Sequence, residues 1–327
     1  MRMIMREEIL KVEDLTKHFG MSSFFSFKRG AEDVLKAVDG INFSINKGEA
    51  FGLVGESGSG KSTTARLITR LIDATGGRIS FSGQEILEMS QATFQSVRRR
   101  IQMVFQDPYM SLNPRMRVRD TLGNPLRLQK IVPKNEINDR VDELIELVGL
   151  KPEQRDRYPH EFSGGQRQRI SIARAMALEP DLIIADEAVS ALDVSVQAQV
   201  LNLFRKLQDT KQLAYLFIAH DLSVVEHFCE RVAVMYGGKI VEMGQVDDLF
   251  NNPLHPYTEA LISAIPEPDP NLEFNPSLLK GDMVNLINRQ AGCVFVGRCP
   301  VATSTCSEIE PTLEAKEGLR SVACHLR

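Results

Sequence analysis

The sequence predicts an α/β protein in which buried strands alternate with helices around a parallel-rich sheet. Near-continuous apolar runs, AFGLVG (50–55) and LIIA (182–185), are typical of strands that enter a buried sheet. Between such runs, segments like NEINDRVDELIELVGL (135–150) space their apolar residues as an amphipathic helix does. A glycine-rich motif, GESGSGKS (55–62), lies where a strand gives way to a helix. Together these observations predict the fold class.

The length and charge of the chain limit the classes of protein to which it can belong. Its 327 residues suffice for one large or two ordinary domains, and a net charge of -4 argues against wholesale binding of nucleic acid or anionic lipid. No apolar run reaches the roughly 18 residues that cross a bilayer. The start, MRMIMREEILKVED, carries charges where a signal peptide has its apolar stretch. We expect a chain that stays in the cytosol and relies on other subunits for any membrane span.

The remaining elements follow in chain order. We expect strands within 9–19 and 35–55, separated by a loop with three phenylalanines (20–33). This loop either packs on its own domain or uses its aromatic side chains to contact a partner or a membrane surface. The other expected elements are a helix over 61–72, a strand or hairpin over 76–83, a mostly helical insertion over 107–160, a helix over 164–178, and strands within 182–187, 213–220 and 231–244.

The sequence changes character after residue 250. Prolines become frequent, and the stretch EPDPN (267–271) is typical of an exposed linker. We therefore expect one domain over 1–250, with a helical subdomain at about 107–165, and an appended extension over 251–327 with little regular structure.

The glycine-rich motif fits the pattern G-x-x-x-x-G-K-[ST], which binds phosphate. Glycines let backbone N–H groups curl around an anion without Cβ clashes, and the N-terminus of the next helix adds partial positive charge. Lys61 can reach the outer phosphates and Ser62 can ligate Mg²⁺. A tight turn without a ligand is the alternative. The predicted binding residues are Gly55, Glu56, Ser57, Gly58, Ser59, Gly60, Lys61, Ser62 and Thr63.

Two acidic residues follow the strand at LIIADE (182–187). The strand places Asp186 at the carboxyl edge of the sheet, where it can hold Mg²⁺ through water. Glu187 points to a different side and is the candidate general base for an attacking water. Solvent-exposed acids at the end of a strand are the alternative interpretation.

Six motifs occur in the order found in one protein family: the glycine-rich motif, FQDP (105–108), FSGGQ (162–166), LIIADE, SALD (190–193) and IAHD (218–221). From about residue 9 to 250 the chain resembles the nucleotide-binding subunits of ATP-binding cassette (ABC) transporters. The resemblance implies a P-loop NTPase (RecA-like) core sheet, an antiparallel β subdomain and a helical insertion. It also implies that two subunits pair head to tail, with each ATP between the glycine-rich motif of one and FSGGQ of the other.

The same resemblance assigns roles to individual residues. Gln106 is expected to sense Mg²⁺ and the attacking water, His220 to contact the γ-phosphate, and Asp193 to bridge the two subunits. Phe19 is expected to stack on adenine, with His18 as the alternative. Ser163 and Gly165 of FSGGQ are expected to contact the γ-phosphate across the interface, and Gly164 and Gln166 beside them are expected to contribute to nucleotide binding. A site acting within its own chain would use the same chemistry, so the assignment across subunits comes from the resemblance.

The sequence of the extension indicates a particular subfamily of ABC transporter ATPases. NNPLHPYTEALISAIPEPDP (251–270), GCVFVGRCPVATSTC (292–306) and the final ACH resemble the C-terminal region of oligopeptide and dipeptide importer ATPases. This implies a paralogous or identical second ATPase subunit, two integral membrane permease subunits, an extracytoplasmic solute-binding protein acting indirectly, and a peripheral position on the cytoplasmic face of the membrane. Import of nickel or another small solute is an alternative.

Two other function classes are disfavoured. A soluble ABC ATPase of DNA repair or translation often carries two cassettes or an inserted coiled coil, whereas this chain has one cassette and an insertion of ordinary length. A purely regulatory module is discouraged by the presence of Lys61, Glu187 and His220. The basic run RRR (98–100) could contact nucleic acid, but its place before a strand favours a solvated helix end, so no nucleic acid partner is expected.

Four of the five cysteines lie in the extension: Cys293, Cys299, Cys306 and Cys324. Their spacing does not begin with the close pair of a zinc finger, and cytosolic redox poise disfavours disulfides. Four thiols in such a segment suit an iron–sulfur cluster, and the resemblance implies a [4Fe–4S] cluster. Zinc and metal-free reduced thiols are the alternatives. The fifth, Cys229, is expected to be a small buried hydrophobic residue.

Overall fold

A computed structural model describes residues 6–21, 33–265, 287 and 291–327 of the chain. Most of the phenylalanine loop and of the proline-rich linker therefore lies outside the described residues. The described chain divides into two compact units. Of the described residues, the first unit contains 6–9, 46–49 and 89–218, and the second contains 10–21, 33–45, 50–88, 219–265, 287 and 291–327.

Strands and helices alternate along the described part of the chain. The strands are β1 (Glu8–Met21), β2 (Asp33–Asn46), β3 (Ala50–Val54), β4 (Gly76–Phe81), β5 (Gln84–Glu85), β6 (Ile101–Val104), β7 (Leu182–Asp186), β8 (Ala214–Ala219), β9 (Arg231–Tyr236), β10 (Lys239–Gln245), β11 (Glu314–Ala315) and β12 (Ser321–Val322). The α-helices are α1 (Lys61–Ile68), α2 (Gln91–Arg100), α3 (Pro108–Ser111), α4 (Val118–Leu128), α5 (Ile137–Leu147), α6 (Gly164–Met176), α7 (Val194–Lys211), α8 (Leu222–Phe228), α9 (Val246–Asn251), α10 (Pro256–Ser263) and α11 (Ser304–Glu308).

Parallel strands form the sheet of the first unit. β6 pairs with β7 and β7 pairs with β8, in registers that include Ile101↔Leu182 and Ile184↔Leu216. Every residue of β7 and β8 is buried, which explains why their sequences read as continuous apolar runs. Helix α2 ends in three arginines directly before β6, and this confirms the predicted helix end at RRR.

The predicted insertion is helical. Helices α4, α5 and α6 pack on one another, and α3 also contacts α6. The apolar face predicted for α5 is buried, with Val141, Leu144 and Ile145 each 1% exposed. Burying a side chain of this size contributes about 1.5–3 kcal/mol, so packing rather than helix propensity stabilises this region.

The second unit holds the predicted antiparallel β subdomain. Its sheet has the order β2-β1-β4-β5, and β1 runs antiparallel to β4 with Leu10 opposite Phe81 and Val12 opposite Ile79. A separate part of this unit pairs β3 with β9 in parallel and β9 with β10 as an antiparallel hairpin. The hairpin turns at Gly237 and Gly238, whose φ angles of 56° and 82° favour glycine. Among the described residues, no helix has both the length and the apolar character needed to span a bilayer.

The extension contains more regular structure than the sequence predicts. Strand β12 pairs antiparallel with β10, and β11 pairs with β12. Helices α10 and α11 also belong to it. Each of the two strands has only two residues, too few for an alternating pattern, so the partner strand rather than local sequence defines them.

A buried carboxylate ties the extension to the rest of the second unit. Glu242, on β10, is 0% exposed. Its oxygens accept hydrogen bonds from the backbone N–H groups of Leu254 (2.9 Å) and His255 (2.8 Å), and from the Arg320 guanidinium (3.1 Å). His255 in turn accepts the N–H of Tyr257 at 3.0 Å, and its burial lowers its pKa to about 4, which keeps the ring neutral as an acceptor.

We expect Glu242→Gln to lower the free energy of unfolding by about 3 kcal/mol. The amide removes the ion pair with Arg320 and directs an N–H group toward a backbone donor. Urea unfolding measures the change. The matched control is Glu314→Gln, which removes an exposed pair with Lys316 (3.1 Å) and should change stability by less than about 0.5 kcal/mol. Equal stability of the two variants would contradict this account.

Candidate nucleotide-binding site

The phosphate-binding loop, defined as Gly55–Ser62, runs from the buried end of β3 into helix α1. Its glycines at 55, 58 and 60 have φ angles of 149°, 79° and 109°, in the region that favours glycine. The loop therefore adopts the backbone that its motif predicts, with Gly60 as the residue before the first turn of the helix.

Lys61 folds back over the loop. Its ammonium group donates to the carbonyl oxygens of Gly55 (2.7 Å) and Glu56 (2.8 Å) and to the Ser59 hydroxyl (3.3 Å). The residue is only 3% exposed. A buried ammonium group beside a helix N-terminus is complementary to a phosphate group, because an anion there offsets the cost of burying the positive charge.

The backbone of the second unit approaches two loop glycines closely. A Cβ atom on Gly55 would lie 2.1 Å from the carbonyl oxygen of Met235, and one on Gly60 would lie 2.3 Å from that of Ala37. Both obstacles are backbone atoms, so neither can move aside as a side chain could. These positions require glycine for packing as well as for conformation.

In the first unit, the structure brings two predicted residues together. The Gln106 amide donates to the Glu187 carboxylate at 2.8 Å and to the Ser190 hydroxyl at 3.3 Å. Ser190 donates to the Glu187 carbonyl at 2.9 Å. Glu187 has a left-handed φ of 50°, and its N–H donates to the carbonyl oxygen of Ile218 at 2.9 Å. The candidate base is thus fixed by its neighbours, and one of them, Ser190, is not among the predicted site residues.

The FSGGQ segment (162–166) opens helix α6. Ser163 is the N-cap: its hydroxyl accepts the N–H of Gln166 (3.3 Å), while the Gln166 side chain accepts the N–H of Ser163 (3.0 Å). Ser163 is exposed, and its hydroxyl uses a lone pair in this capping box, so its O–H can still donate to an anion. A Cβ on Gly165 would lie 2.3 Å from Val196 of helix α7, which accounts for the glycine at that position.

The other predicted site residues occupy polar or exposed positions. Asp186 ends β7 and is 9% exposed. Asp193 and His220 are exposed, and Asp193 lies at the N-cap position of α7. Phe19 is 37% exposed, and the Lys17 ammonium lies 4.8 Å from the centre of its ring. The His18 ring is hydrogen-bonded to the Asp39 carboxylate at 3.0 Å. Phe19, the phosphate-binding loop and His220 belong to the second unit, whereas Gln106, FSGGQ and the two acids belong to the first.

Residues of the extension contact the phosphate-binding loop, although no motif in the sequence indicates these contacts. The Tyr257 hydroxyl accepts the N–H of Glu56 at 2.9 Å. The Arg298 guanidinium donates two hydrogen bonds to the Glu56 carboxylate, at 2.8 and 3.1 Å. Arg298 and Glu56 are separated by 242 positions, so no local pattern signals the pair.

The four cysteines of the extension are free thiols in one another's vicinity. The pKa of Cys293 is raised to about 11, chiefly by burial and also by the other three thiols. A hydrogen bond with Thr303 instead lowers the pKa of Cys306. Over the described ranges, no three or more His, Cys, Asp or Glu side chains are placed to hold a metal ion. The arrangement therefore does not support the expected iron–sulfur cluster.

The fold and this loop define a class: nucleotide-binding α/β proteins with a P-loop. A family model described as "ABC transporter" matches residues 38–190, and one described as "Oligopeptide/dipeptide transporter, C-terminal region" matches 241–306. The oligopeptide transport ATP-binding protein OppF of Escherichia coli is 49% identical over 322 residues, covering 98% of this chain and 96% of that protein. AppF of Bacillus subtilis, with the same description, is 50% identical over 324 residues, covering 98% of each chain.

Solved structures agree with these matches. The cbiO1 protein of Clostridium perfringens, part of an ABC transporter complex, has a TM-score of 0.64 at 28% identity, covering 75% of this chain and 92% of that one. The ATP-binding cassette MJ0796, in a dimeric post-hydrolysis state, has a TM-score of 0.64 at 26% identity, covering 73% and 99%. The chain belongs to the ABC transporter family, among its oligopeptide and dipeptide transporter ATP-binding proteins.

We expect Gly60→Ala to lower the free energy of unfolding by about 3 kcal/mol and to abolish nucleotide binding, because the loop must move away from Ala37. Thermal unfolding and equilibrium nucleotide binding measure the two effects. Gly83→Ala is the control: its φ is +75°, with nothing within 4 Å of the new Cβ. It should cost about 1 kcal/mol and leave binding unchanged. Full nucleotide affinity in Gly60→Ala would refute the predicted loop geometry.

Proposed function

We propose that the chain is the ATP-hydrolysing subunit of an ABC importer that powers uptake of oligopeptides or dipeptides across the cytoplasmic membrane. The observation that carries this proposal is the geometry of Lys61, a buried ammonium folded over a glycine loop at a helix N-terminus. The near-complete coverage of relatives described as oligopeptide transport ATP-binding proteins, extension included, supports the choice of peptide.

ATP binding uses the predicted loop residues and Mg²⁺ ligands. Lys61 and the loop N–H groups hold the phosphates, Phe19 stacks on adenine, and Ser62, Gln106 and Asp186 are the residues that would hold Mg²⁺. When bound, the metal offsets the charge that develops on the phosphates. Glu187 accepts the proton of the attacking water, with Gln106 orienting its carboxylate, and His220 contacts the γ-phosphate.

Two such subunits, identical or paralogous, close head to tail on ATP. Ser163 and Gly165 of one subunit contact the γ-phosphate held by the other, Gly164 and Gln166 contribute to nucleotide binding beside them, and Asp193 contributes to the bridge. The exposed Ser163 hydroxyl and the N-terminus of α6 support this, since both favour an added negative charge. ATP and ADP then differ in how strongly they stabilise the closed dimer, as a nucleotide-driven switch requires.

The wider assembly supplies the membrane span and the choice of solute. Two integral permease subunits bind the ATPase pair at the cytoplasmic face of the membrane, and an extracytoplasmic solute-binding protein delivers the peptide. In this chain, residues 1–250 form the ATPase domain, with the helical subdomain at about 107–165 transmitting motion to the permeases. Residues 251–327 form the extension.

We expect Glu187→Gln to bind ATP normally and to lower turnover by about 10²–10⁴-fold, because the amide cannot accept the proton of water. ATP turnover of the assembled transporter and ATP binding by the chain measure these effects. Glu179→Gln is a matched control: Glu179 also has a left-handed φ, 51°, and its carboxylate pairs with Arg140 at 2.8 Å. It should hydrolyse ATP at the normal rate. Unimpaired turnover by Glu187→Gln would exclude Glu187 as the base.

The [4Fe–4S] cluster stays a hypothesis that rests on the four thiols and the family resemblance. It predicts that anaerobically purified protein contains iron and absorbs broadly near about 400 nm. Cys306→Ser should lose both signals, whereas Cys229→Ser, outside the extension, should keep them. Colourless, iron-free protein from anaerobic cells would remove the hypothesis.

A further inference from the structure

The second residue of the phosphate-binding loop is a glutamate, and its charge opposes the ligand. Glu56 lies between Gly55 and the glycines that follow, and its side chain is 22% exposed. A carboxylate in this position repels a polyphosphate, and the repulsion weakens only slowly with distance where water is partly excluded. The loop must therefore neutralise Glu56 to bind ATP well.

Side chains from three residues bind Glu56 at its carbonyl oxygen, its N–H group and its carboxylate. Lys61 donates to its carbonyl oxygen at 2.8 Å. The Tyr257 hydroxyl accepts its N–H at 2.9 Å, and Arg298 forms the two-pronged ion pair with its carboxylate. Two of these three partners come from the extension, and all of them belong to the second unit.

Packing fixes Arg298 in place. Its side chain is 8% exposed, its guanidinium lies 5.7 Å from the centre of the Tyr236 ring, and one of its N–H groups is 3.4 Å from the Tyr236 hydroxyl. Tyr257 is 0% exposed and packs against both Tyr236 (4.6 Å) and Phe295 (5.4 Å). The planar guanidinium is held rigidly and forms a bidentate pair with Glu56. It therefore fixes the orientation of the Glu56 carboxylate and offsets its negative charge.

We propose that Arg298 is a positioning residue for nucleotide binding: from the extension, it neutralises and orients Glu56, and so raises the affinity of the phosphate-binding loop for polyphosphates. Tyr257 assists by fixing the Glu56 backbone. This inference rests on the proposed ATP site and assigns the extension a role within it, in addition to any role of its cysteines.

The test is equilibrium binding of AMP, MgADP and MgATP to the purified full-length chain. Arg298→Ala leaves a carboxylate in the loop without its cation, so the loss of affinity should grow with the number of phosphate groups that the loop holds. We expect the Kd to rise about tenfold for MgATP, less for MgADP and least for AMP; a tenfold change corresponds to about 1.4 kcal/mol. Arg298→Lys keeps the charge and loses the fork geometry, so its affinity should lie between wild type and Arg298→Ala.

A second substitution separates charge from folding. Glu56→Gln removes the repelling charge, so the double variant Glu56→Gln/Arg298→Ala should bind MgATP within about twofold of Glu56→Gln alone, as expected of a coupled pair. Tyr257→Phe should weaken AMP, MgADP and MgATP to a similar extent, because it removes an acceptor and no charge. Lys316→Ala, which breaks the exposed pair with Glu314 in the extension, should bind as wild type does.

The outcomes distinguish this inference from the proposed function. Unchanged MgATP affinity in Arg298→Ala overturns the inference alone, as does an equal loss for all three nucleotides that Glu56→Gln does not rescue. If Arg298→Ala does not fold, Arg298→Lys decides: wild-type affinity overturns the inference, and weaker MgATP binding with AMP binding intact supports it. Absence of nucleotide binding in the wild-type chain would instead refute the ATP site itself.

Discussion

The buried ammonium group of Lys61 is the constraint on which the site depends. A charge with 3% exposure is costly unless oxygen atoms surround it, and two loop carbonyls and a hydroxyl contribute that shell. To place those oxygens, the loop must adopt φ angles that favour glycine and must pass close to two backbone carbonyls. The residues of the motif therefore meet one electrostatic requirement: they form a compact loop around the Lys61 ammonium, and a bound anion offsets its positive charge.

Residues that contact the phosphate-binding loop are held in place by hydrogen bonds from parts of the chain distant in sequence. The Glu242 carboxylate fixes the backbone that leads into α10, and α10 places the hydroxyl of Tyr257 on the loop. Buried polar groups of this kind must all be satisfied together, because each unpaired member would cost more than a surface pair contributes. The extension is thus continuous with the core of the second unit in its hydrogen bonding as well as in its packing.

Local patterns account for most of the elements that were predicted. Strands buried on both faces have continuous apolar sequences, so β7 and β8 were predictable, and so was the loop that follows β3. The contact between Gln106 and Glu187 was foreseeable as a shared role, although only the structure gives its distance. Helix α7 is not among the predicted elements, although Val200, Phe204 and Leu207 have the helical spacing that would indicate it.

Other features could not be predicted, for a physical reason. Arg298 and Glu56 are 242 positions apart, and the sequence around Arg298 does not indicate which carboxylate it pairs with. The two-residue strands β11 and β12 carry no periodicity, and their conformation is defined by the strand beside them. Long-range pairing of this kind follows from the completed fold and not from any window of the sequence.

The pairing of β12 with β10 also bears on self-association. Without β12, the side of β10 that faces away from β9 would present unpaired N–H and C=O groups at a sheet edge, and such an edge can recruit a strand from another molecule. Val322 and Ser321 cover part of this edge, and the short β11 with its charged Glu314 ends the array beyond them. The pairing with β12 thereby leaves less of the edge of β10 open to a strand from another molecule.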